Sequence, residues 1–356
     1  MTKKRRYTFF IGTLSQGGGE RVVSILSKKM AEKGLSVNIL LYYDRPIFYE
    51  LDPRVTVTTV EKETGSKSVV KNIFWIRKYF EKSSDIVISF LAPFNMLALV
   101  SHYGLKSKII VADRNDPRYI PANKVIRKVR DWLYRFANGV VIQTTHNQEY
   151  FGDTVKKKSI IIYNPIDLGD KAGVALRTQK EEKIVSVGRL MPQKNQLMLI
   201  DAFSRVHQKH PEYKLVIYGE GSFRDNLERR IEELNLNNCV FLPGSSTSVF
   251  DEIASARLFV LSSDYEGMPN ALIEAMCLGL PCVSTRVSGA TDLIQNGENG
   301  ILVDVDDKEG LYLAMDSFIE DSSLRKKCST AAVELNKKLD VTYIMGIWLK
   351  YLENFE

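Results

Sequence analysis

No stretch of this 356-residue chain reaches the eighteen or so consecutive apolar residues that a membrane-spanning helix needs. An apolar run from Tyr7 to Leu14 follows the basic start Met-Thr-Lys-Lys-Arg-Arg, but it is too short, and too soon followed by charge, for a secretory signal. Cysteine is scarce. Cys239, Cys277, Cys282 and Cys328 stand in apolar or helical contexts without metal-ligand spacing. They read as reduced core thiols of a cytoplasmic protein, which excludes a disulfide scaffold. The zinc knuckle, RNP aromatics and basic zipper of nucleic-acid binders are missing. So is the Gly-Lys-Ser/Thr of a Walker loop. The turn Gly17-Gly18-Gly19 enters a helix, but Val22 stands where a dinucleotide fingerprint requires Gly or Ala. Its glycines still let a ligand approach the backbone closely.

What is present is an ordinary soluble composition, 44% hydrophobic and 26% charged, long enough for two α/β domains. The net charge of +6 is unevenly spread. Residues 1–168 hold 28 Lys and Arg against 15 Asp and Glu, a net +13, and the remainder holds 21 against 28, a net −7. The first half is therefore expected to meet an anionic surface. Without a nucleic-acid motif, a membrane is favoured over nucleic acid.

Short apolar runs bounded by Gly and polar residues alternate with helical patterns, so a parallel sheet is expected in each half. In the first half the strands are Tyr7 to Gly12, Val37 to Tyr42, Ile86 to Phe90, Lys108 to Ala112 and Val140 to Gln143. Helices are expected at Arg21 to Lys33, Val69 to Phe80 and Lys124 to Phe136. In the last, Val125, Val129, Leu133 and Phe136 share one face, and Lys124, Arg127, Lys128, Arg130 and Arg135 fill the rest. This is either a membrane-surface element or, more commonly, a surface helix whose apolar stripe faces the core. Residues 169–183 have the composition of a linker. Lys183 to Val187, Gly188-Arg189-Leu-Met-Pro-Gln-Lys194 and a helix from Gln196 then repeat the opening plan of strand, Gly loop and helix.

The most informative stretch runs from Asp264 to Leu280. A buried strand, Leu258 to Ser262, precedes it, and another, Cys282 to Thr285, follows, giving a βαβ unit. Pro269 and Asn270 start its helix and Gly279 stops it. Glu274 is the lone charge of that helix, and a buried carboxylate needs a partner. The loop Gly267-Met268-Pro269 and the following Asn270, Ala271 and Leu272 offer backbone N–H groups at a helix start, on the carboxyl side of a parallel strand. That is a natural anion seat. A nucleotide-sugar would satisfy both features, with Glu266 toward the sugar and Glu274 toward the ribose hydroxyls. Arg189 and Lys194 could reach the same diphosphate. Gly219 and Gly221 form another close-approach loop at a strand's carboxyl end.

The Glu-x7-Glu element EGMPNALIEA resembles the signature of family 4 retaining glycosyltransferases, which have the GT-B fold. GGGER at Gly17 to Arg21 is similar to that family's GGAER loop, which faces donor phosphates and acceptor, and so implies donor contacts at Gly18 and Gly19. Gly188 to Asn195 resembles its GRL-x2-QKN motif, Ile162 to Asp167 its hinge, and Asp113-Arg114-Asn115-Asp116-Pro117-Arg118 its SERNDPR segment. The resemblance implies two Rossmann-like domains facing across a cleft. They would be 1–168 for the acceptor and 169–340 for the donor, with a helix in 341–356 crossing back to the first. It further implies transfer of a hexose or N-acetylhexosamine from a UDP-sugar, with retention, to a glycan carried on polyprenyl diphosphate. Glu266, Arg189 and Lys194 would be the catalytic residues, and Asp113, Arg114, Asn115 and His146 would contact the acceptor. Asp304 and Asp306 are not expected to bind metal, and no cofactor is implied. The protein would sit on the inner face of the membrane without spanning it. The rival readings are a UDP-sugar 2-epimerase of the same fold and a basic lipid- or nucleic-acid-binding module.

Overall fold

The computed structural model describes residues 5–15, 17–246 and 248–355. The chain forms two compact units. The first is Met1–Pro165 together with Val341–Glu356, and the second is Ile166–Asp340. The division falls at Pro165 and Ile166, not after residue 168. Ile166 already belongs to the second unit, where its N–H donates to the Leu339 carbonyl at 2.8 Å.

Among the described residues the first unit is built on seven parallel strands. These are β1 (Arg6–Ile11), β2 (Ser36–Leu41), β3 (Thr56–Thr59), β4 (Ile86–Phe90), β5 (Lys108–Ala112), β6 (Gly139–Ile142) and β7 (Ser159–Ile161), in the order β3-β2-β1-β4-β5-β6-β7. Period-2 alternation sends neighbouring residues to opposite faces. Phe9 and Ile11 join the helix Gly18–Glu32, while Phe10 packs with Ile76 and Phe80 of the helix Val69–Ser83. Both faces are buried, as parallel sheets require. The C-terminal helix Val341–Glu353 completes one face. Its Ile344, Met345, Trp348 and Leu352 lie in the first core, with the Trp348 ring stacked 6.2 Å from Phe90.

The second unit carries β8 (Lys183–Val187), β9 (Lys214–Tyr218), β10 (Val240–Gly244), β11 (Leu258–Leu261), β12 (Cys282–Thr285) and β13 (Ile301–Val303), all parallel, in the order β10-β9-β8-β11-β12-β13. The expected linker after residue 168 is packed chain. Ala175 is buried, the Gly173 N–H donates to the Cys277 carbonyl at 3.0 Å, and a side chain on Gly173 would meet Val333. Small and apolar residues within the 169–183 segment let it close over the second unit. All four cysteines are buried and free.

The helix Lys124–Leu133 carries a larger correction. Its Val125 and Val129 are exposed, as is Phe136 in the following turn, whereas Arg130 is fully buried. Of the expected core stripe only Leu133 is partly buried. The reason is polar. The Arg130 guanidinium donates to the carbonyls of Pro117 (3.0 Å) and Ile120 (2.5 Å) and to Asp131 (2.7 and 2.9 Å). It also lies 3.9 Å from Asp113 and over the Tyr150 and Phe151 rings. Those fixed partners draw Arg130 inward while Lys124, Lys128 and Arg135 stay exposed, and the apolar stripe is turned to solvent.

Candidate active site

In the second unit the loops leaving β8 and β11 are tied into one surface. The Asp264 N–H donates to the Gln193 carbonyl (2.9 Å), Gln193 Nε2 to the Tyr265 carbonyl (2.7 Å), Asn195 Nδ2 to Asp264 (2.7 Å) and Ser262 Oγ to the Lys194 carbonyl (2.9 Å). Thr285, at the end of β12, donates to the Ser263 carbonyl at 2.6 Å. Five bonds between segments distant in sequence fix the relative position of Lys194 and Glu266. Burial holds the Asp264 carboxyl above its ordinary range, against the lowering effect of the Asn195 amide.

On this frame Lys194 Nζ donates to Glu266 Oε1 at 2.5 Å, and Ser263 Oγ donates to the same oxygen at 2.8 Å. The two charged side chains are only 17% and 10% exposed. The Lys194 stem passes over Gly188, where a Cβ would sit 3.3 Å from Cε. Arg189 is exposed and has no ion-pair partner among the described residues. So the pair is neutral as a unit, and Arg189 supplies its uncompensated charge.

The Glu266–Pro269 loop feeds the helix Asn270–Leu278, with Pro269 as the residue before its first turn. Met268 and Leu272 are buried, while Asn270 and Ala271 are partly open at the helix start. Gly289 supports the loop from below. A Cβ there would meet the Gly267 carbonyl at 2.5 Å and Pro269 Cδ at 2.5 Å. Glu274 lies one turn on and is buried at 7% exposure. Burial first, and the Glu274 charge second, push the nearby Cys277 thiol up to about 12.

The glycines at the end of β9 lie against the chain's own backbone. At Gly219 (φ +141°) a Cβ would sit 2.0 Å from the Gly188 carbonyl oxygen, and at Gly221 2.1 Å from that of Leu190. Glycine is required there by the packing of the β9 loop on the β8 loop, which Leu190 N–H to Glu220 carbonyl bonding (2.9 Å) secures.

In the first unit, Gly18 and Gly19 open the helix Gly18–Glu32, and the space beside Gly19 is bounded by Leu91 at 3.3 Å. Leu91 has a positive φ of 72°, uncommon for a branched side chain. Tyr49 Oη both accepts from the Gly17 N–H (3.2 Å) and donates to its carbonyl (2.9 Å), which fixes the turn. The segment after β5 is largely turned inward. Asp113 is buried, accepts from Tyr134 Oη at 3.1 Å, and is held above the usual carboxylate range by burial. Arg114 donates to Asn164 at 2.9 Å and lies over the Phe90 ring, 4.8 Å from its centroid. Burial pulls its pKa down to about 9. Asn115 is half-buried and His146 exposed, so these two are the members of the set nearest solvent.

Asp304 pairs with Arg286 at 3.0 Å on the surface. One trio among the described residues, His210, Asp316 and Glu320, has metal-ligand spacing, but the Lys209 ammonium pairs with both carboxylates (2.8 and 2.6 Å). Among the described residues no helix is long and apolar enough to cross a membrane.

Of the residues the sequence singles out, Lys194 and Glu266 are paired and Glu274 is buried. Gln193 and Asn195 enter only as members of the Gly188 to Asn195 motif, and Ser263 and Thr285, whose hydroxyls carry no periodic signal, are not singled out.

Two units, each a parallel sheet covered by helices, have the architecture of the GT-B fold, and comparison with known proteins supplies the class of activity. The family model for glycosyl transferases group 1 matches residues 171–334. A Campylobacter jejuni protein, N-acetylgalactosamine-N,N'-diacetylbacillosaminyl-diphospho-undecaprenol 4-alpha-N-acetylgalactosaminyltransferase, is 31% identical over 96% of this chain and 98% of its own length. A second Campylobacter jejuni protein, an alpha-1,4-N-acetyl-D-galactosaminyltransferase named for a diNAcBac-PP-undecaprenol glycan, is 28% identical over 98% of both chains. Anabaena HepE, crystallised with UDP and glucose, shares the fold with a TM-score of 0.85 at 19% identity, covering 98% of this chain and 99% of that one. The chain belongs to the group 1 glycosyl transferases.

Proposed function

We propose that the chain transfers a hexose or N-acetylhexosamine from a UDP-sugar to a glycan carried on polyprenyl diphosphate, with retention of anomeric configuration, in bacterial surface glycan assembly. The observation that carries this reading is the Lys194–Glu266 pair, largely buried before a helix start, with Arg189 exposed on the same loop as Lys194. An incoming diphosphate offers Lys194 a second anion, and Arg189 a first. The backbone N–H groups of Gly267, Met268, Asn270 and Ala271 add a helix-terminal field of the right sign. Charge that develops on the departing phosphate is thereby met by groups already in place.

In the reaction the bond from the anomeric carbon to the UDP oxygen breaks. The bond from that carbon to an acceptor hydroxyl oxygen forms on the same face. The hydroxyl proton passes to an oxygen of the leaving diphosphate, and UDP departs. Glu266 orients the sugar hydroxyls, with its own position held by Ser263 and Lys194. Glu274 takes the ribose hydroxyls. No metal is needed in this scheme, because Arg189 and Lys194 supply the positive charge. The acceptor meets the first unit, near Asn115 and His146, with the Gly18–Gly19 turn beside it.

The relatives support the donor and acceptor classes. An Escherichia coli relative, 28% identical over 59% of this chain, is named UDP-Gal:alpha-D-GlcNAc-diphosphoundecaprenol alpha-1,3-galactosyltransferase. A lipid-borne acceptor also gives the +13 charge of residues 1–168 a use, since peripheral attachment to an anionic leaflet keeps enzyme and substrate together. The test is a panel of UDP-sugars with a polyprenyl-diphosphate-linked glycan, read by mass of the product. Sugar addition from one UDP-sugar supports the reading. UDP-sugar consumption or epimerisation without acceptor contradicts it.

A further inference from the structure

Each sheet has one point where the strand order reverses. In the second unit the chain runs outward from β8 to β9 and β10 on one side and resumes with β11 on the other, and the loops after β8 and β11 carry the Lys194–Glu266 pair. In the first unit β1 and β4 stand in those places, with β2 and β3 beyond β1 and β5 to β7 beyond β4. Ligands of open parallel sheets bind in the crevice past the carboxyl ends of such a strand pair. The loops after β1 and β4 meet there. A Cβ on Gly19 would lie 3.3 Å from Leu91, a residue with a positive φ of 72°, and one on Gly12 would strike the Phe94 ring.

The two crevices differ in chemistry. Arg189, Lys194, Asp264 and Glu266 belong to the loops of the second, whereas residues 12–19 and 91–95 contain no charged side chain. The start of the helix Gly18–Glu32 would draw an anion, but it has its own: a Cβ on Gly17 would strike the Glu20 carboxylate. What the first crevice has instead is aromatic. The loop after β2 is fastened to the loop after β1 by the Tyr43 N–H to the Gly12 carbonyl (2.9 Å), the Phe48 N–H to the Leu14 carbonyl (2.9 Å) and the two Tyr49 bonds to Gly17. This sets Tyr43, 42% exposed, edge-on to Tyr42 (4.8 Å between ring centres) and Phe94 (6.2 Å), with Phe48, 55% exposed, on the same loop. The Thr13 and Ser15 hydroxyls, 2.7 Å apart, add polar groups. Arg45, a cation of the β2 loop, pairs with Glu61 at 3.8 Å.

We propose that this crevice seats a neutral pyranose of the acceptor glycan, with the Tyr43 ring against the sugar's C–H face and Thr13 and Ser15 on its hydroxyls. A site with aromatic walls, a few hydroxyls and no free charge suits a ring that is apolar on its face and polar at its edge. It does not suit a diphosphate, which calls for cations. The proposal rests on the transfer to a glycan set out above, and names the groups that select the sugar receiving the new bond.

The test is saturation-transfer NMR on the full chain, with the methyl α-glycosides of N-acetylgalactosamine and N-acetylglucosamine and with farnesyl diphosphate as probes. Irradiating the protein's aromatic protons should saturate the ring C–H protons of a glycoside. Tyr43→Ala should abolish that transfer, Tyr43→Phe should keep it, and Lys194→Met should leave it unaltered. With the lipid-linked glycan and an active UDP-sugar, Tyr43→Ala should raise the acceptor KM on the order of tenfold, with UDP affinity and melting temperature unchanged. Saturation that persists in Tyr43→Ala, or that reaches neither glycoside in the parent, overturns the proposal. So does a farnesyl diphosphate signal lost in Tyr43→Ala while the glycoside signals stay, which makes the crevice a lipid site. Displacement of the glycoside by a UDP-sugar makes it the donor's site and overturns the proposal as well. If a glycoside binds through Tyr43 and no glycan is extended, the crevice stands as a sugar site and the transfer reading fails.

Discussion

Two helices of this chain invert one another. The helix Asn270–Leu278 is buried nearly all round and draws its one carboxylate, Glu274, inside with it. The helix Lys124–Leu133 buries a guanidinium and leaves its apolar stripe in solvent. Each has an apolar face and a charge that breaks the pattern. Hydrophobic periodicity locates a face; it does not say which side is wet. That is decided by partners on other segments. For Arg130 these are two carbonyls, Asp113 and Asp131. The odd charge of each helix is then informative in opposite ways: Glu274 is the carboxylate used by the proposed ribose contact, and Arg130 is a structural clamp.

If the clamp is real, its removal should be the costliest change. Arg130→Met strands buried Asp113 and two carbonyls. It should lower stability by about 3–5 kcal/mol in a urea or thermal melt, while Arg127→Met costs almost nothing. Equal losses in the two variants would erase the distinction between them.

Next in size is the paired cation of the second unit. Lys194→Met should reduce kcat on the order of a hundredfold to a thousandfold, measured at saturating UDP-sugar, with the fold intact. A variant that keeps its turnover would reduce the Lys194–Glu266 pair to a structural tie.

Smaller still, Glu274→Ala should weaken UDP binding by about 1.5–3 kcal/mol, the worth of a hydrogen bond to a charged group. Calorimetry on the folded variant reads this directly, and unchanged affinity would make Glu274 a structural charge like Arg130. The smallest change is expected at the exposed stripe. Val125→Ser and Phe136→Ser should each alter stability by no more than about 0.5 kcal/mol, because neither side chain is packed in the core. A loss of several kcal/mol would return the stripe to the interior.

Much of the fold was legible in the chain itself. Strands such as Ile86–Phe90, Lys183–Val187 and Cys282–Thr285 are short, largely buried runs bounded by polar or turn residues, so their limits agree with the expectation. The short edge strand Thr56–Thr59 was not expected, because four half-exposed residues give no buried run. Glu274 stood out as a lone charge among apolar neighbours, and it is buried. Ser263 did not stand out, since a hydroxyl in a polar loop looks like any other, and Asn195 was noted only within its motif, its bond to Asp264 being visible only in the folded unit. Gly219 and Gly221 were noticed for the right property, close approach, but what approaches them in this chain is its own backbone. Asp113 and Arg114 were noticed by resemblance, and their burial depends on Tyr134, Asn164 and Phe90, which adjoin them only in the folded unit.

The claim at the centre of this account is that the loops after β8 and β11 form a metal-independent seat for the donor's diphosphate. Calorimetric titration of UDP in EDTA, into the parent and into Lys194→Met, tests it most directly. The account predicts saturable binding by the parent without metal, and a loss of at least about tenfold in the variant, as expected when a charged hydrogen bond of about 1.5 kcal/mol or more is removed. Binding that vanishes in EDTA and returns with manganese, or an affinity indifferent to Lys194, would contradict it.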